Sequence, residues 1–212
     1  MDCSAVQTLD NINSDYLWKD YTYFSSQSSI VIEHFSDFAD YIQASLGVLS
    51  GINVLDIGSN DGSLLMQFKN RGASVVGIDP SDTVIKEAEK KGIYTFHGLF
   101  NEDCTKNEFE GREFNIITAF NVFAHSSDMS GMLSGVKKLL SSDGHFMFEV
   151  QYLQDISNKH IMGTFFHEHM VHYSYFSARK FLETKDLQIV NYQRNDIQNG
   201  SIIFIACHKD YA

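Results

Sequence analysis

The stretch NVLDIGSNDGSLL, residues 53–65, followed by VVGIDP, residues 75–80, decides the fold. NVLDI is a short apolar run of the kind buried in a parallel sheet, and it passes directly into a glycine turn and an apolar helix start. VVGID is a second buried run, ending in an acid. Two such strand ends about 20 residues apart describe a pocket for a nucleoside-bearing cofactor. The glycine spacing selects which one. A dinucleotide site requires G-x-G-x-x-G, whereas Gly58, Ser59, Asn60, Asp61 and Gly62 read G-x-x-x-G. Asn60 stands where a second close-approach glycine would admit a pyrophosphate, and Asp56 and Asp61 would repel phosphate. A cationic, phosphate-free ligand such as S-adenosylmethionine (SAM) suits this turn.

On this reading Gly58 permits the tight turn and Gly62 lets the next helix begin close to the ligand. Asp61 is expected to hold the ammonium of the methionine portion. Asp79, followed by Pro80, is expected to accept bonds from the ribose hydroxyls. Ligands of such sheets sit at the carboxyl ends of the strands. The loop FNVFAHS, residues 120–126, therefore adds Asn121, Val122 and His125 as cofactor neighbours.

Composition narrows the class. The chain has 212 residues, enough for one domain with a sizeable core, and residues 1–212 read as a single domain. A net charge of −11 without a long basic run argues against a nucleic-acid backbone as partner. Cys3, Cys104 and Cys207 form no C-x-x-C pair, so neither a zinc knuckle nor a disulfide framework is expected, and reduced thiols of a cytoplasmic protein are the default. No apolar run has the length of a membrane span, and the polar N-terminus lacks a secretory pattern.

Residues 1–15 read as a frayed lead-in. Residues 1–46 as a whole comprise an aromatic leading segment and a helix over residues 29–46, with Ile32, Phe35, Phe38, Tyr41 and Ile42 at helical spacing. Ser81 is a candidate cap for a helix over residues 81–91, with Glu87 and Lys91 paired at i,i+4. A short strand is expected near residues 94–97 and a buried one over NIITAF, residues 115–120. SSDG, residues 141–144, reads as a turn into the strand HFMFEV. A helix over residues 177–184 and the strands LQIVNY and SIIFIACH close the chain. Alternating strands and helices imply a mostly parallel seven-stranded α/β sheet with helices on both faces and an antiparallel C-terminal edge hairpin.

A non-periodic insertion, residues 151–177, contains GTFFHEHMVHYSYFS. It leaves the sheet at the cofactor edge and can roof the pocket. His167, Glu168, His169 and His172 fall within six residues among aromatic rings. Three uses compete. His169 is a general base and Glu168 orients it or shares the proton, or His167, His169 and His172 bind a metal, or all are satisfied polar groups in an aromatic loop. A third or fourth ligand is not evident nearby, so no metal is assigned.

These pieces resemble the SAM-dependent C-methyltransferases that act on nucleotide-linked keto-deoxysugars. The resemblance spans YTYFSSQSSIVIEHF, LDIGSNDG, GIDPS, NVFAH, FEVQYL, the HEH segment and NGSIIFIA. It implies His169 as base, Glu168 as its acidic neighbour, and Tyr21 or Tyr23 as an active-site tyrosine. It also implies the Rossmann-like class I SAM-dependent methyltransferase fold, a small-molecule substrate, SAM as donor and S-adenosylhomocysteine as product. Phe166 stands where the family often has tyrosine, and Gln151 where it usually has proline. Family members usually add an N-terminal four-cysteine zinc domain and a further C-terminal domain. This chain corresponds to the central methyltransferase domain alone, so additional domains or a protein partner are expected to replace them. Arg179, Lys180 and Arg194 are candidates to meet a diphosphate, with surface charge as the competing explanation. An O- or N-methyltransferase, or a SAM-binding module of a larger biosynthetic protein, are the alternative functions.

Overall fold

The computed structural model describes residues 5–9, 17–18 and 21–211. Cys3 and most of the lead-in lie outside the described residues. Where the lead-in is described, it is not frayed: β1 (Val6–Gln7) pairs antiparallel with β7 (Val171–His172) of the insertion.

Nine strands, seven α-helices and several 3₁₀ turns are seen among the described residues. The main sheet joins β2 (Asn53–Ile57), β3 (Ser74–Asp79), β4 (Thr95–His97), β5 (Phe114–Phe120), β6 (Leu140–Gln151), β8 (Leu187–Asn195) and β9 (Ser201–His208) in the order β4-β3-β2-β5-β6-β9-β8. Pairs from β4 through β6 are parallel, and β9 is antiparallel to both its neighbours. Strand order reverses between β2 and β5, so a crevice opens at their carboxyl ends.

Alternation divides the core between the two faces of the sheet. Leu55, Ile117, Phe146, Phe148 and Ile202 pack on one face, while Val54, Ile116, Met147 and Ile203 pack on the other. The first face is covered by α4 (Glu102–Asn107), α5 (Met129–Leu139) and α7 (Tyr175–Glu183), the last two through Leu133, Val136 and Leu182. The second is covered by α1 (Ser29–Leu46), α2 (Ser63–Asn70) and α3 (Asp82–Lys90), through Phe35, Phe38, Ile42, Leu65, Phe68 and Ala88. Among the described residues no helix is long and apolar enough to cross a membrane.

Four local expectations change. Ser81 precedes α3, but its hydroxyl does not cap it; it donates to the Tyr21 carbonyl at 3.0 Å. Lys91 does not pair with Glu87. It reaches the buried Asp61 at 3.0 Å, a stronger attraction than an exposed carboxylate offers, and Glu87 takes Lys90 instead at 2.6 Å. SSDG lies inside β6 as an outward bulge, because Leu140 already pairs with Phe114 and His145 with Ile116. The insertion is also more regular than its sequence: it holds α6 (Leu153–Asn158), whose single turn and a half is too short to display a period.

Phe148 is fully buried, with the rings of Phe123, Phe146, Tyr173 and Phe204 around it. Phe148→Ala is expected to cost about 3–5 kcal/mol by leaving a cavity that the sheet cannot close. A urea midpoint equal to that of the unmodified protein would contradict this packing.

Candidate active site

The turn after β2 hangs from the end of β3. The Gly58 and Ser59 N–H groups donate to the Ile78 carbonyl at 2.8 and 3.1 Å, and the Asn60 N–H donates to the Asp79 carboxylate at 2.9 Å. Gly58 has φ +67°, and a Cβ there would collide with Val122 from the neighbouring loop. Glycine is therefore required on two counts. Gly62 also has φ +73°, but it faces Ile93 rather than the cavity.

A cavity of about 1080 Å³ opens along this edge. Asp56, Gly58, Ser59, Asn60, Asp79, Pro80, Asn121, Val122 and His125 all line it, as do Tyr21, Tyr23, Glu168 and His169. Of the residues expected at the site, only Asp61 and Gly62 are absent from the wall. Asp61 is turned inward, fully buried, and bonded to the Ser63 hydroxyl at 2.6 Å, the Ser26 N–H at 3.1 Å and the Lys91 ammonium at 3.0 Å. Burial pushes its carboxyl up, but these bonds outweigh it and hold the group below the usual range. Its partners are complete, and the expected bond to a ligand ammonium does not fit this position.

Asp56 is the acid that does face the cavity beside the turn. Its carboxyl accepts the Thr118 hydroxyl at 2.6 Å. Burial raises it to about 7, against the lowering effect of Thr118 and with a small addition from the Asp79 charge. Asp79 is likewise raised by burial, although the Ser81 and Asn60 N–H groups oppose the shift.

The leading aromatic segment is tied down over the turn. Asn60 accepts the Ser25 N–H at 3.0 Å and donates to the Tyr23 carbonyl at 2.8 Å, while Asp61 and Ser81 hold Ser26 and Tyr21. This fixes Tyr21 and Tyr23 at the cavity. Burial pushes the Tyr21 hydroxyl up to about 12, aided by the charge of Glu168, so it stays a protonated donor at neutral pH.

At the opposite wall His169 bonds through Nδ1 to the Thr164 carbonyl and the Thr164 hydroxyl, both at 3.0 Å. A carbonyl accepts only from N–H, so Nδ1 carries the proton and Nε2 is left as a bare lone pair. The orienting group is thus Thr164 and not Glu168, which instead lies 3.9 Å from His167. Thr164 is supported in turn by Gln151, whose amide donates to the Gln198 carbonyl at 2.9 Å. Phe166 packs its ring on His169 with centroids 4.3 Å apart. Burial lowers His169 below the ordinary histidine range, with Thr164 and Glu168 opposing. Burial also pushes His125 down to about 3 and His172 to about 4, with the neighbouring histidines adding to it. His167 is exposed and His172 is buried behind the cavity wall, so the three histidines of the segment do not converge. Among the described residues no group of three His, Cys, Asp or Glu could hold a metal.

Two site residues were not anticipated. His34 of α1 lines the cavity and bonds through Nε2 to Glu149 at 2.8 Å. Glu149 is fully buried at the end of β6 and also accepts Asn195 at 2.7 Å. No Lys or Arg lines the cavity among the described residues. Arg179 pairs with Glu183, Lys180 lies over the Phe176 ring and Arg194 pairs with Asp155, away from the wall.

With this geometry in view, the comparisons are specific. The profile of a family described as "Methyltransferase domain" matches residues 30–191, more than half of the chain. C-methyltransferase NovU of Streptomyces niveus is 31% identical over 197 residues, covering 92% of this chain and 47% of that protein. A ubiquinone biosynthesis O-methyltransferase of Actinobacillus pleuropneumoniae is 33% identical over 116 residues, covering 51% of this chain and 50% of that protein. The chain thus spans about half the length of these relatives. Among solved structures, magnesium protoporphyrin IX methyltransferase (ChlM) from Synechocystis PCC 6803 with bound S-adenosylhomocysteine superimposes with a TM-score of 0.66 at 20% identity, covering 89% of this chain and 90% of that one. The chain belongs to the methyltransferase domain family and has the Rossmann-like fold of the SAM-dependent methyltransferases.

Proposed function

We propose that this chain is the catalytic domain of a SAM-dependent C-methyltransferase, methylating a carbon next to a carbonyl in a keto-sugar carried on a nucleotide. The observation that carries this reading is His169. Its Nδ1 is held by Thr164, and its ring faces the same cavity as the turn and the acid of the donor end.

The donor end fits SAM by its chemistry. Asp56 and Asp79 face the cavity without a Lys or Arg beside them on the described wall, which favours a cationic ligand and disfavours a pyrophosphate. Asp79 is the group for the ribose hydroxyls, and Asp56, in place of Asp61, for the methionine ammonium. Gly58, Ser59, Asn60, Pro80, Asn121 and Val122 complete this end. When bound, SAM supplies an electrophilic methyl group.

The remaining chemistry is the chain's own. His169 is neutral near pH 7, because burial lowers it, and can take a proton at Nε2 from the carbon next to the acceptor carbonyl. Tyr21 keeps its proton and can donate to the oxygen that gains charge. His125, also neutral, stacks on Trp18 at 5.3 Å and packs against His169 at 4.9 Å, narrowing the space around the base. The carboxylate-rich wall leaves a diphosphate outside the cavity, so the sugar ring is the part that enters. The sugar assignment is supported by the resemblance of seven sequence pieces, and carbon as the methylated atom by NovU.

An oxygen acceptor is the second reading, favoured by the O-methyltransferase relatives. The same base would then take a hydroxyl proton. Deuterium exchange at the acceptor C–H without turnover separates the two.

His169→Ala should cut turnover by about 10²–10⁴-fold and leave S-adenosylhomocysteine affinity nearly unchanged. Parallel loss of both would make the histidine structural. A second expectation concerns pH. Asp56 titrates near 3.8 when unfolded and near 7 in the fold, so the ligand-free fold holds its proton more tightly. Its effect on stability is most favourable below pH 4, fades as pH rises from about 4 to about 7, and is constant above that. Asp56→Asn should remove this slope, and urea unfolding across that range measures it. An identical slope in both proteins would place the titration elsewhere.

A further inference from the structure

His34 and Glu149 form a second histidine unit in the cavity, separate from His169. The Nε2 to Oε2 distance is 2.8 Å. Asn195 holds the other carboxylate oxygen, Oε1, at 2.7 Å. The Glu149 side chain is fully buried, and the His34 side chain is 12% exposed, facing the cavity. A carboxylate at Nε2 fixes the proton of that nitrogen and leaves Nδ1 as the ring's other hydrogen-bonding atom. Among the described residues Nδ1 has no partner.

Sheet order separates this unit from Asp79, the residue proposed above for the ribose. Asp79 ends β3 and Gly58 follows β2, whereas Glu149 lies at the end of β6 and Asn195 at the end of β8. The loop after Asn195 lines the same cavity with Gln198 and Asn199, both at positive φ. A structural role explains the pair poorly. Phe35, Phe38, Ala39 and Ile42 already bury α1 against the sheet. A buried carboxylate and histidine give little net stability compared with an apolar pair of the same shape.

We propose that His34 is an acceptor-binding residue, taking through Nδ1 a hydrogen bond from a hydroxyl of a sugar-like methyl acceptor. Glu149 is the positioning residue that acts through it. The proposal rests on the acceptor reading given under Proposed function. It deepens that reading by assigning the acceptor's orientation to a unit built from α1, β6 and β8.

The test uses the unmodified chain, Glu149→Gln and His34→Phe, with thermal unfolding as a check on folding. In Glu149→Gln the amide oxygen stays with the Asn195 donor, so the amide NH₂ faces Nε2 and the imidazole proton moves to Nδ1. ¹⁵N spectra of the S-adenosylhomocysteine complex should show this tautomer exchanged at His34. With a nucleotide-linked keto-deoxysugar as probe, His34→Phe should raise the acceptor KM about tenfold, the loss of one hydrogen bond, with a smaller change in kcat, and Glu149→Gln should raise it less, because a hydroxyl can turn to accept from Nδ1–H. S-adenosylhomocysteine affinity should stay unchanged by calorimetry. A deoxy analogue lacking the bound hydroxyl should show no difference among the three proteins. An acceptor KM unchanged in His34→Phe overturns the role of His34. So does an unexchanged tautomer, or cofactor affinity falling in step with KM. If the unmodified chain transfers no methyl to the probe, the acceptor reading has failed, and the role given to His34 falls with it.

Discussion

Two acceptors at the end of β3, the Ile78 carbonyl and the Asp79 carboxylate, hold the turn that follows β2, and the rest of the cavity depends on them. Three consecutive N–H groups, from Gly58 to Asn60, are satisfied there rather than by water or ligand. That leaves the turn set before anything binds. It also sets Asn60 in a left-handed conformation, φ +51°, from which its side chain fastens the aromatic leading segment. The segment in turn carries Tyr21 and Tyr23 to the cavity. One strand end thus fixes the donor site and, through a single asparagine, part of the acceptor site.

Burial then tunes the ionisable groups of the wall in opposite directions. Carboxyls are pushed up and histidines down, since both shifts favour the neutral form. The outcome differs by type. A lowered histidine is a base ready to accept a proton at neutral pH. A raised carboxyl such as Asp56 is poised to ionise when a cation arrives. Asp61 shows what happens when the partner is already present: Lys91, Ser63 and Ser26 hold it charged, and it serves the turn instead of the ligand.

Much of this was legible in the sequence where the signal is local. The strand, the G-x-x-x-G turn and the acid of VVGID lie in one continuous stretch, and local chemistry dictates each. The helix over residues 29–46 was readable from its apolar spacing, and the edge hairpin from two strands without a helix between them. What escaped was non-local. Whether Asp61 faces the ligand or the interior depends on Lys91, 30 positions away, which also breaks the expected pair with Glu87. His34 and Glu149 are separated by 115 positions and meet only because α1 packs on the sheet that contains β6. Thr164, not Glu168, holds His169, because the short 3₁₀ turn at Met162–Thr164 folds its carbonyl back onto the ring. No motif spacing encodes such contacts.

The cavity beside the G-x-x-x-G turn is built for a phosphate-free adenosyl amino acid and not for a dinucleotide. Calorimetric titration of the purified chain with S-adenosylhomocysteine and, separately, with NADH tests it directly. We expect one equivalent of S-adenosylhomocysteine to bind and NADH to give no heat. Binding of NADH, or of neither ligand, would contradict it.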